Sequence, residues 1–456
     1  ADYISARKSG LKAYKIKTNT YRLPRKYLID TNKGQYLESF LSNNHDAERD
    51  YFYNFGYERF GPVLYGFIKW MYEDLKKEGI QEVYFMARDG YIMQKVYREL
   101  GYNNDIPDKY FEASRRSLRV PSYCDDYNLE NVIKESPLLS TTNMEQLLDS
   151  LGLEISDYKE KIEKYGFTLE EHIKRDELIN NDRFIKFYEE IKQDVIDNSS
   201  TEKENLIKYL KQYDFNKKIA IVDIGWGGSM QKNLIQTLDN QGISNNITGY
   251  YLGLSKKSKQ NLAANGYKAK GYLFDCLNND TDKDVVIAFR PLFETLFLEQ
   301  SGSVKCYETH EDGKTVAVRY EYEYVKDGEL SHEAKKVRNI QSGAVDFARD
   351  FKNSKVSMYI NSDEEILFKY MYETGTNPNM EDVRKFGDFI FFNNGCGNYL
   401  AKPQKIRKYV VNPKKCLSDL SESQWKLGFL KYIIKIPFPY LRLYLKLHRM
   451  SNNEED

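Results

Sequence analysis

Two segments of the chain share one order of apolar and polar positions: a short apolar run, a polar loop containing glycine, and an amphipathic run. The first segment has its apolar run at 82–87 and its amphipathic run at 91–100. The second has them at 218–223 and 230–238. Short apolar runs bounded by glycine are typical of buried strands, and the runs that follow have helical spacing. The pattern therefore predicts two βα units of a parallel sheet.

Further patterns extend this prediction on both sides. Residues 109–114 and 248–254 read as two more strands, with a short one at 271–274. Between the two βα units, residues 129–213 are highly charged and have helical spacing. Polar and apolar residues alternate on either side of a turn at 311–314, which predicts a β-hairpin. Helical patterns resume after the hairpin.

Together these patterns predict an α/β fold, with a Rossmann-like core of parallel βα units, a helical insertion, a β-hairpin and C-terminal helices. The chain begins at Ala1 without a methionine, and residues 1–16 read as a helix and a strand whose preceding strand is missing, which indicates a fragment of a longer protein. The predicted parts are the end of an earlier domain with a linker (1–44), the α/β core (45–127 plus 214–302), the helical insertion (128–213), the hairpin with helices (303–400) and a basic amphipathic tail (401–456).

Charge and composition exclude several classes of protein. The 68 Lys and Arg residues balance 68 Asp and Glu residues, so no overall field favours nucleic acid as a partner. No stretch of about 18 uncharged apolar residues occurs, so we predict no membrane span. The five cysteines are scattered without CxxC or Cys/His spacing, which is typical of reduced thiols and not of a zinc site. We therefore expect a cytoplasmic protein.

The first loop, Arg88-Asp89-Gly90, combines a cation, an acid and a glycine. In open α/β sheets, ligands bind where such loops leave the carboxyl ends of strands. The Arg88 guanidinium can form a fork with a phosphate, Asp89 is a candidate acid, base or metal ligand, and Gly90 lets a ligand approach the backbone. The alternative is an Arg–Asp pair that only fixes the loop, with glycine needed for a positive φ.

The second loop carries the stronger prediction of a phosphate site. Asp223, another candidate acid, base or metal ligand, is followed just before a helix by Gly225, Trp226, Gly227, Gly228 and Ser229. Glycine-rich turns at a helix N-terminus offer free N–H groups to an anion, although neither a Walker lysine nor a full dinucleotide fingerprint is present. The alternatives are a tight turn needed only for packing, and a Trp226 that fills a gap between helices instead of stacking on a sugar or base.

Three more charged residues complete the set of candidates. Arg115 and Arg116 follow a predicted strand and are candidates for binding a diphosphate, the alternative being that both are solvated. Glu294 stands alone among apolar neighbours on a predicted helix, where burial would raise its pKa toward the range of a general base. The alternative is a buried ion pair with Arg290. Mg²⁺ or Mn²⁺ is a candidate cofactor, but the sequence names no ligand set.

The tail is rich in basic residues, with twelve Lys and Arg and two acidic residues in 402–449. Trp425 and the apolar residues of 427–434 and 440–447 lie among them. This mixture is typical of a segment that binds anionic lipid at the inner face of a membrane. The alternative is a final helix docked on the protein with its lysines in water.

Several short motifs in residues 50–305 can be compared with known families as a set. They are Gly61-Pro62, Phe-Met-Ala-Arg-Asp-Gly at 85–90, Ser-Arg-Arg at 114–116, Val-Asp-Ile-Gly-Trp-Gly-Gly-Ser at 222–229, and Glu294 with Gly302-Ser303. The set resembles the region after the hydrolase domain in predicted hydrolases of the haloacid dehalogenase superfamily found with bacterial surface-polysaccharide genes. Residues 2–13 resemble the stretch after the last acidic motif of that domain, so 1–44 is interpreted as its C-terminal remnant.

The chain lacks that superfamily's nucleophilic Asp, the Asp two residues on, and its Lys and Gly-Asp motifs, so we expect no phosphatase activity from it. What the resemblance implies is an enzyme module that acts on a phosphorylated or nucleotide-linked sugar, by glycosyl or phosphosugar transfer. The glycine loop and the arginines would hold phosphate, and Asp89, Asp223 or Glu294 would orient or deprotonate an acceptor hydroxyl. The alternative is a non-catalytic module that binds a glycan precursor or a partner enzyme. Only the enzyme requires both acidic loops to line one cleft.

Overall fold

The computed structural model describes residues 9, 32–136, 138, 140–278, 286–393, 396–434, 440–442 and 444–445. The helix and strand predicted within residues 1–16 lie outside these residues, apart from Ser9. Within the described part, the chain is a mixed α/β structure with one large sheet and several small ones. This confirms the predicted α/β class.

The strands of the described residues form one five-stranded parallel sheet and four two-stranded antiparallel sheets. They are β1 (Glu82–Met86), β2 (Asp108–Phe111), β3 (Thr141–Thr142), β4 (Ile173–Lys174), β5 (Lys218–Trp226), β6 (Asn246–Leu254), β7 (Lys268–Asp275), β8 (Val304–Thr309), β9 (Thr315–Arg319), β10 (Val325–Lys326), β11 (Glu329–Leu330), β12 (Ile390–Asn393) and β13 (Cys396–Tyr399). The order in the large sheet is β2-β1-β5-β6-β7, and all of its strands are parallel.

Helices connect and cover the strands. The α-helices are α1 (Asn32–Asn44), α2 (Tyr51–Phe55), α3 (Gly61–Glu78), α4 (Gly90–Glu99), α5 (Arg115–Arg119), α6 (Leu129–Glu135), α7 (Met144–Ser150), α8 (Lys159–Lys164), α9 (Arg175–Leu178), α10 (Asp182–Leu210), α11 (Ser229–Asn240), α12 (Lys257–Asn261), α13 (Arg290–Thr295), α14 (His332–Lys352), α15 (Val356–Ile360), α16 (Glu364–Thr376), α17 (Met380–Phe386), α18 (Ile406–Val411), α19 (Pro413–Glu422) and α20 (Lys426–Ile434). A π-helical turn, Gly56–Phe60, joins α2 to α3.

Strands β1 and β5 lie side by side and parallel, with Phe85 opposite Val222, and the order in which strands are added to the sheet switches between them. After β1 the chain forms β2 on one side, and after β5 it forms β6 and β7 on the other. Ligand sites in open α/β sheets lie at the carboxyl ends of the strands at such a switch point. Asp89, which follows β1, and Asp223, near the carboxyl end of β5, both lie there.

Successive side chains of the central strands pack alternately into two separate cores. Val83 and Phe85 of β1 belong to a large cluster with α3, α4, α14 and α16, whereas Tyr84 and Met86 belong to a second cluster with α10 and α11. Successive side chains of a strand point to opposite faces of a sheet. Both faces of the sheet are therefore covered by helices, which explains the nearly continuous apolar sequence of its strands.

The chain between β2 and β5 is mostly helical, as predicted. Its buried residues form a cluster of their own, drawn from 120–195 and centred on Leu147, Phe187 and Ile191. The long helix α10 begins in this cluster and ends against the sheet, where Leu206 and Leu210 pack on the second core. This helix therefore links the helical region to the sheet.

The predicted hairpin is also present, as β8 and β9. It packs near the carboxyl end of β2, where the hydroxyl of Ser114 donates to the carbonyl of Val304 over 2.6 Å. In the aromatic run at 51–56, Phe52 and Phe55 belong to the core and are buried against Phe386. None of the helices among the described residues is long and apolar enough to cross a lipid bilayer.

Candidate functional site

Asp89 lies at the carboxyl end of β1 and directly precedes α4. Aspartate at such a position usually accepts a hydrogen bond from the first turn of the helix. The Asp89 side chain makes no such bond, nor any other hydrogen bond to a described residue. Its carboxylate is therefore not used to cap α4.

Strand β5 places Asp223 beside this point but continues beyond the predicted strand end, to Trp226. Gly225 allows the extension, because its φ is +106° and a Cβ there would lie 2.7 Å from the carbonyl oxygen of Gly253 in β6. Only Gly227 and Gly228 then separate β5 from α11. The phosphate loop predicted at 224–229 is thus shorter than expected.

Glu294 reaches the same place from α13, which follows β7. Its Oε1 accepts a hydrogen bond of 2.7 Å from the indole N–H of Trp226. The Trp226 ring stacks on Phe274 with centroids 5.7 Å apart, and the Arg290 guanidinium lies 4.7 Å from its centroid. Trp226 therefore fixes Glu294 in position, which favours a packing role for the ring over the predicted stacking on a ligand.

The electrostatics show that the three carboxylates are neighbours. Burial raises the pKa of Asp89 well above its usual value, and the charges of Asp223 and Glu294 raise it further. Burial also raises the pKa of Asp223, to about 6, with Glu294 adding to the rise. The pKa of Glu294 is raised by burial and lowered in part by Trp226 and Arg290. Each of the three residues is half-buried, so none of them is fully enclosed by the protein.

Two of the three predicted phosphate-binding arginines face these carboxylates. Arg115 begins α5 beyond β2, held there by the Ser114 cap, and its charge lowers the pKa of all three carboxyls. It is exposed and forms no hydrogen bond or ion pair with the described residues. Arg88 lies beside Asp89, but its Nη1 is held by Glu323 at 2.5 Å and by the carbonyl of Ser301 at 3.3 Å.

The third arginine does not belong to the site. Arg116 is buried, and its two terminal nitrogens bond to the Glu202 carboxylate at 2.9 and 3.1 Å. Neither the predicted diphosphate role nor the solvated alternative describes it. Arg115 and Arg116 are adjacent on a short helix, so their side chains point in different directions.

The structure requires glycine at some positions of the two loops and not at others. A Cβ on Gly90 would lie 2.9 Å from the Phe85 backbone, and Gly228 has a φ of +69° with Leu262 against its Cα. Packing thus accounts for Gly90, Gly225 and Gly228. Gly227 is different, because its φ is not in the left-handed region and a Cβ would meet nothing closer than 3.5 Å. Gly227 is therefore the glycine of these loops that packing does not require.

The helix behind this turn offers a site for an anion. The twelve-residue α11 begins at Ser229, and no side chain of the described residues caps its N-terminus. The first N–H groups of a helix have no partner within it and attract negative charge. The hydroxyl of Ser229 is part of the same terminus and forms no hydrogen bond with a described residue.

Two residues near the site had no signal in the sequence. Glu323 pairs with Arg88 from 235 positions along the chain. Tyr251 of β6 lies opposite Asp223 in the sheet, and its pKa is raised by burial and, in addition, by the Asp223 carboxylate. Neither residue belongs to a sequence motif. The local sequence does not predict the strand pairing or the hairpin that brings each of them close to the site. Strand β6 was predicted, however, and its neighbour relation to β5 would have pointed to Tyr251.

A preformed metal site is not found here. Within the described ranges, no group of three or more His, Cys, Asp or Glu side chains is arranged to hold a metal ion. Asp89, Asp223 and Glu294 therefore do not make a complete set of ligands for Mg²⁺ or Mn²⁺. A cation at this place would need oxygens from a bound substrate as well.

Comparison with known proteins adds no relative. No protein-family model matches the chain, and no curated protein sequence matches it either. The fold and the side-chain geometry are therefore the observations from which a function can be argued.

Proposed function

We propose that this chain is an enzyme module that transfers a glycosyl or phosphosugar group from a phosphorylated or nucleotide-linked sugar. One observation carries the proposal: three carboxyl groups with raised pKa values face an unpaired arginine, Arg115, at the switch point of a parallel sheet. Strongly perturbed carboxyls next to an accessible cation are typical of catalytic sites. The resemblance of the motifs favours surface-polysaccharide assembly in bacteria as the setting.

In this proposal, phosphate is held between Arg115 and the N-terminus of α11. The Arg115 guanidinium offers several N–H donors in a fork that matches phosphate oxygens. Opposite it, the N–H groups of α11 and the open position at Gly227 let the anion approach the backbone. Arg88 contributes positive charge while Glu323 and Ser301 keep its side chain in place.

Asp223 is the candidate general base. A pKa of about 6 leaves it mostly ionised at neutral pH and close to the value at which proton transfer is efficient. It would accept the proton of an acceptor hydroxyl as that oxygen attacks the sugar or phosphorus atom. The departing phosphate oxygen would keep the bonding electrons, and Arg115 would stabilise its charge.

Asp89 and Glu294 have supporting roles in the same proposal. Asp89 has the carboxyl whose pKa is raised by the most neighbouring charge, which favours its protonated form and lets it donate a hydrogen bond to a sugar or phosphate oxygen. Glu294, held by Trp226, would orient a hydroxyl. No step in this scheme depends on a metal ion.

The test is ligand-induced stabilisation followed by turnover. We expect UDP-glucose or a hexose phosphate, with or without Mg²⁺ or Mn²⁺, to raise the unfolding temperature of the wild-type protein, and Arg115→Gln to abolish that rise. Arg384→Gln is the matched control, because Arg384 is exposed on α17, a helix that carries none of the site residues. Release of UDP or inorganic phosphate in the presence of acceptor sugars measures turnover.

The outcomes separate the two hypotheses. Stabilisation by these ligands with turnover that Asp223→Asn removes supports the enzyme. Stabilisation that depends on Arg115, with no turnover for any acceptor, supports the non-catalytic binding module instead. Failure of every ligand to stabilise the wild type, or equal stabilisation of Arg115→Gln and wild type, would overturn the site itself.

A further inference from the structure

The C-terminal part of the chain contains an exposed surface that the candidate site does not use. We define the basic-aliphatic segment as residues 402–417, which include helix α18 and the start of α19. It contains six basic residues and no acidic residue, and all six are exposed: Lys402, Lys405, Arg407, Lys408, Lys414 and Lys415. Four aliphatic side chains lie among them in water, namely Ile406, Val410, Val411 and Leu417.

The exposure of these aliphatic residues is unusually high. Val410 and Val411 are 76% and 86% exposed, Leu417 is 68% exposed and Ile406 is 54% exposed. Single exposed aliphatic residues are common, but a cluster of them marks a surface that binds something. Packing against the described residues does not explain why these side chains are apolar.

The structure holds the segment in place from beneath. Tyr409 is buried, although its chain neighbours Lys408 and Val410 are exposed. Its ring lies near Phe429, and its hydroxyl donates to the Asp419 carboxylate over 2.8 Å. The same hydroxyl accepts a hydrogen bond of 2.7 Å from the backbone N–H of Gln404. The aliphatic residues are therefore displayed on a fixed support.

The structure also changes the assignment of the tail. Several residues first considered for lipid binding belong to the core. Trp425 is fully buried and donates to the carbonyl of Gly375, and Leu427 and Phe429 are also buried, whereas Ile434 at the end of the helix is 41% exposed. The start of α20 therefore packs on the protein, which favours the docked alternative for that part of the tail. The exposed apolar surface lies earlier, at 406–417.

We propose that the basic-aliphatic segment binds the surface of an anionic lipid membrane. Basic residues attract the negative headgroups, and aliphatic side chains between them enter the boundary between headgroups and acyl chains. The charge argues against a second copy of the chain, because joining two such segments would bring like charges together. The aliphatic side chains argue against nucleic acid, because they offer nothing to a phosphate backbone. This inference does not depend on the proposed function.

The experiment measures sedimentation of the full chain with vesicles of equal parts phosphatidylcholine and phosphatidylglycerol, compared with phosphatidylcholine alone. We expect binding only to the anionic vesicles, and we expect it to weaken as salt is raised. Each basic residue near such a surface strengthens binding by about fivefold, so the triple change Lys405→Gln, Arg407→Gln and Lys408→Gln should weaken it on the order of 100-fold.

A second variant tests the aliphatic contribution. Val410→Ser with Val411→Ser should weaken vesicle binding by about tenfold or more without loss of folding, since both side chains are in water. The matched control is Met358→Ser, because Met358 is 77% exposed but lies on α15, outside the segment. Circular dichroism and the unfolding temperature establish that each variant is folded.

Every other result counts against the inference. It is wrong if anionic vesicles do not bind the wild type, or if the triple variant binds as well as the control. Binding that the valine changes leave intact would reject insertion of the aliphatic side chains. Concentration-dependent dimers that the valine changes dissolve would identify a second copy of the chain as the occupant.

Discussion

The indole N–H of Trp226 donates a 2.7 Å hydrogen bond to Glu294, joining the end of strand β5 to helix α13 from 68 positions along the chain. Trp226 adopts a φ of +70°, which is rare for a residue with a side chain and costs of the order of 1–3 kcal/mol. Strained residues of this kind cluster at functional sites. The bond therefore connects the backbone geometry of the loop with the ionisation of a candidate site residue.

The first prediction concerns this bond. In Trp226→Phe the aromatic stack on Phe274 remains but the N–H donor is lost, so the pKa of Glu294 should rise further above its usual value. Carbon NMR titration of the Glu294 carboxyl measures the shift. Trp425→Phe is the control, since it also loses a buried N–H donor, at 2.8 Å from the Gly375 carbonyl. An unchanged Glu294 titration in Trp226→Phe would show that the bond does not act on it.

The second prediction follows from the raised pKa of Asp223. Its value of about 6 in the folded chain lies above the usual 3.8, so the folded state holds this proton more tightly than the unfolded state. The contribution to stability is present below pH ~4 and is lost as the pH rises through about 6. Asp223→Asn lacks this loss and should be the more stable protein at pH 7, by up to about 3 kcal/mol.

Urea unfolding at several pH values between four and eight checks this prediction. Asp176→Asn is the control, because Asp176 is an exposed carboxylate in α9 and its replacement should leave the pH dependence of the wild type unchanged. The prediction fails if the stability of Asp223→Asn and wild type changes with pH in parallel. If Asp223→Asn is more stable than the wild type but is no longer stabilised by ligand, the protein maintains this site at the cost of stability.

The third prediction uses two adjacent arginines as a matched pair. Arg116→Gln leaves the buried Glu202 carboxylate without its ion-pair partner, so the free energy of unfolding should fall by about 3–5 kcal/mol. Arg115→Gln breaks no ion pair among the described residues and should change stability by less than about 1 kcal/mol. Urea unfolding of both variants measures the difference. If Arg115→Gln destabilised the protein more than Arg116→Gln, the roles assigned to the two arginines would be wrong.

The fourth prediction compares two adjacent glycines. Gly228→Ala forces a φ of +69° on an alanine and pushes its Cβ into Leu262, so it should destabilise the protein by about 1–3 kcal/mol. Gly227→Ala has space for the Cβ and should unfold nearly as the wild type does, but the methyl group should weaken stabilisation by a hexose phosphate. Thermal unfolding with and without the sugar phosphate measures both effects. Unchanged ligand stabilisation in Gly227→Ala would exclude contact at this position.

Much of the fold could be predicted because its signals are local. The strands β1 and β5, the helices that follow them and the hairpin at β8 and β9 each show their own period of apolar residues. The helical character of residues 129–210 follows from the same kind of pattern. The end of β5 was missed because Gly225 and Trp226 look like loop residues, and only pairing with β6 keeps them in the strand.

The candidate site also has features that the sequence predicts and features that only the structure shows. The sequence by itself determined that Asp89, Asp223 and the glycine turn lie near the carboxyl ends of two strands, because the chemistry and the order of residues are local properties. Only the tertiary structure decided which groups are free to act. It paired Arg116 with Glu202 and left Arg115 exposed. It also bonded Trp226 to Glu294. In the tail it buried Trp425 and exposed Val410 and Val411. These outcomes depend on contacts between segments far apart in the chain, and the energy of such a contact is set by burial and distance, which no local pattern encodes.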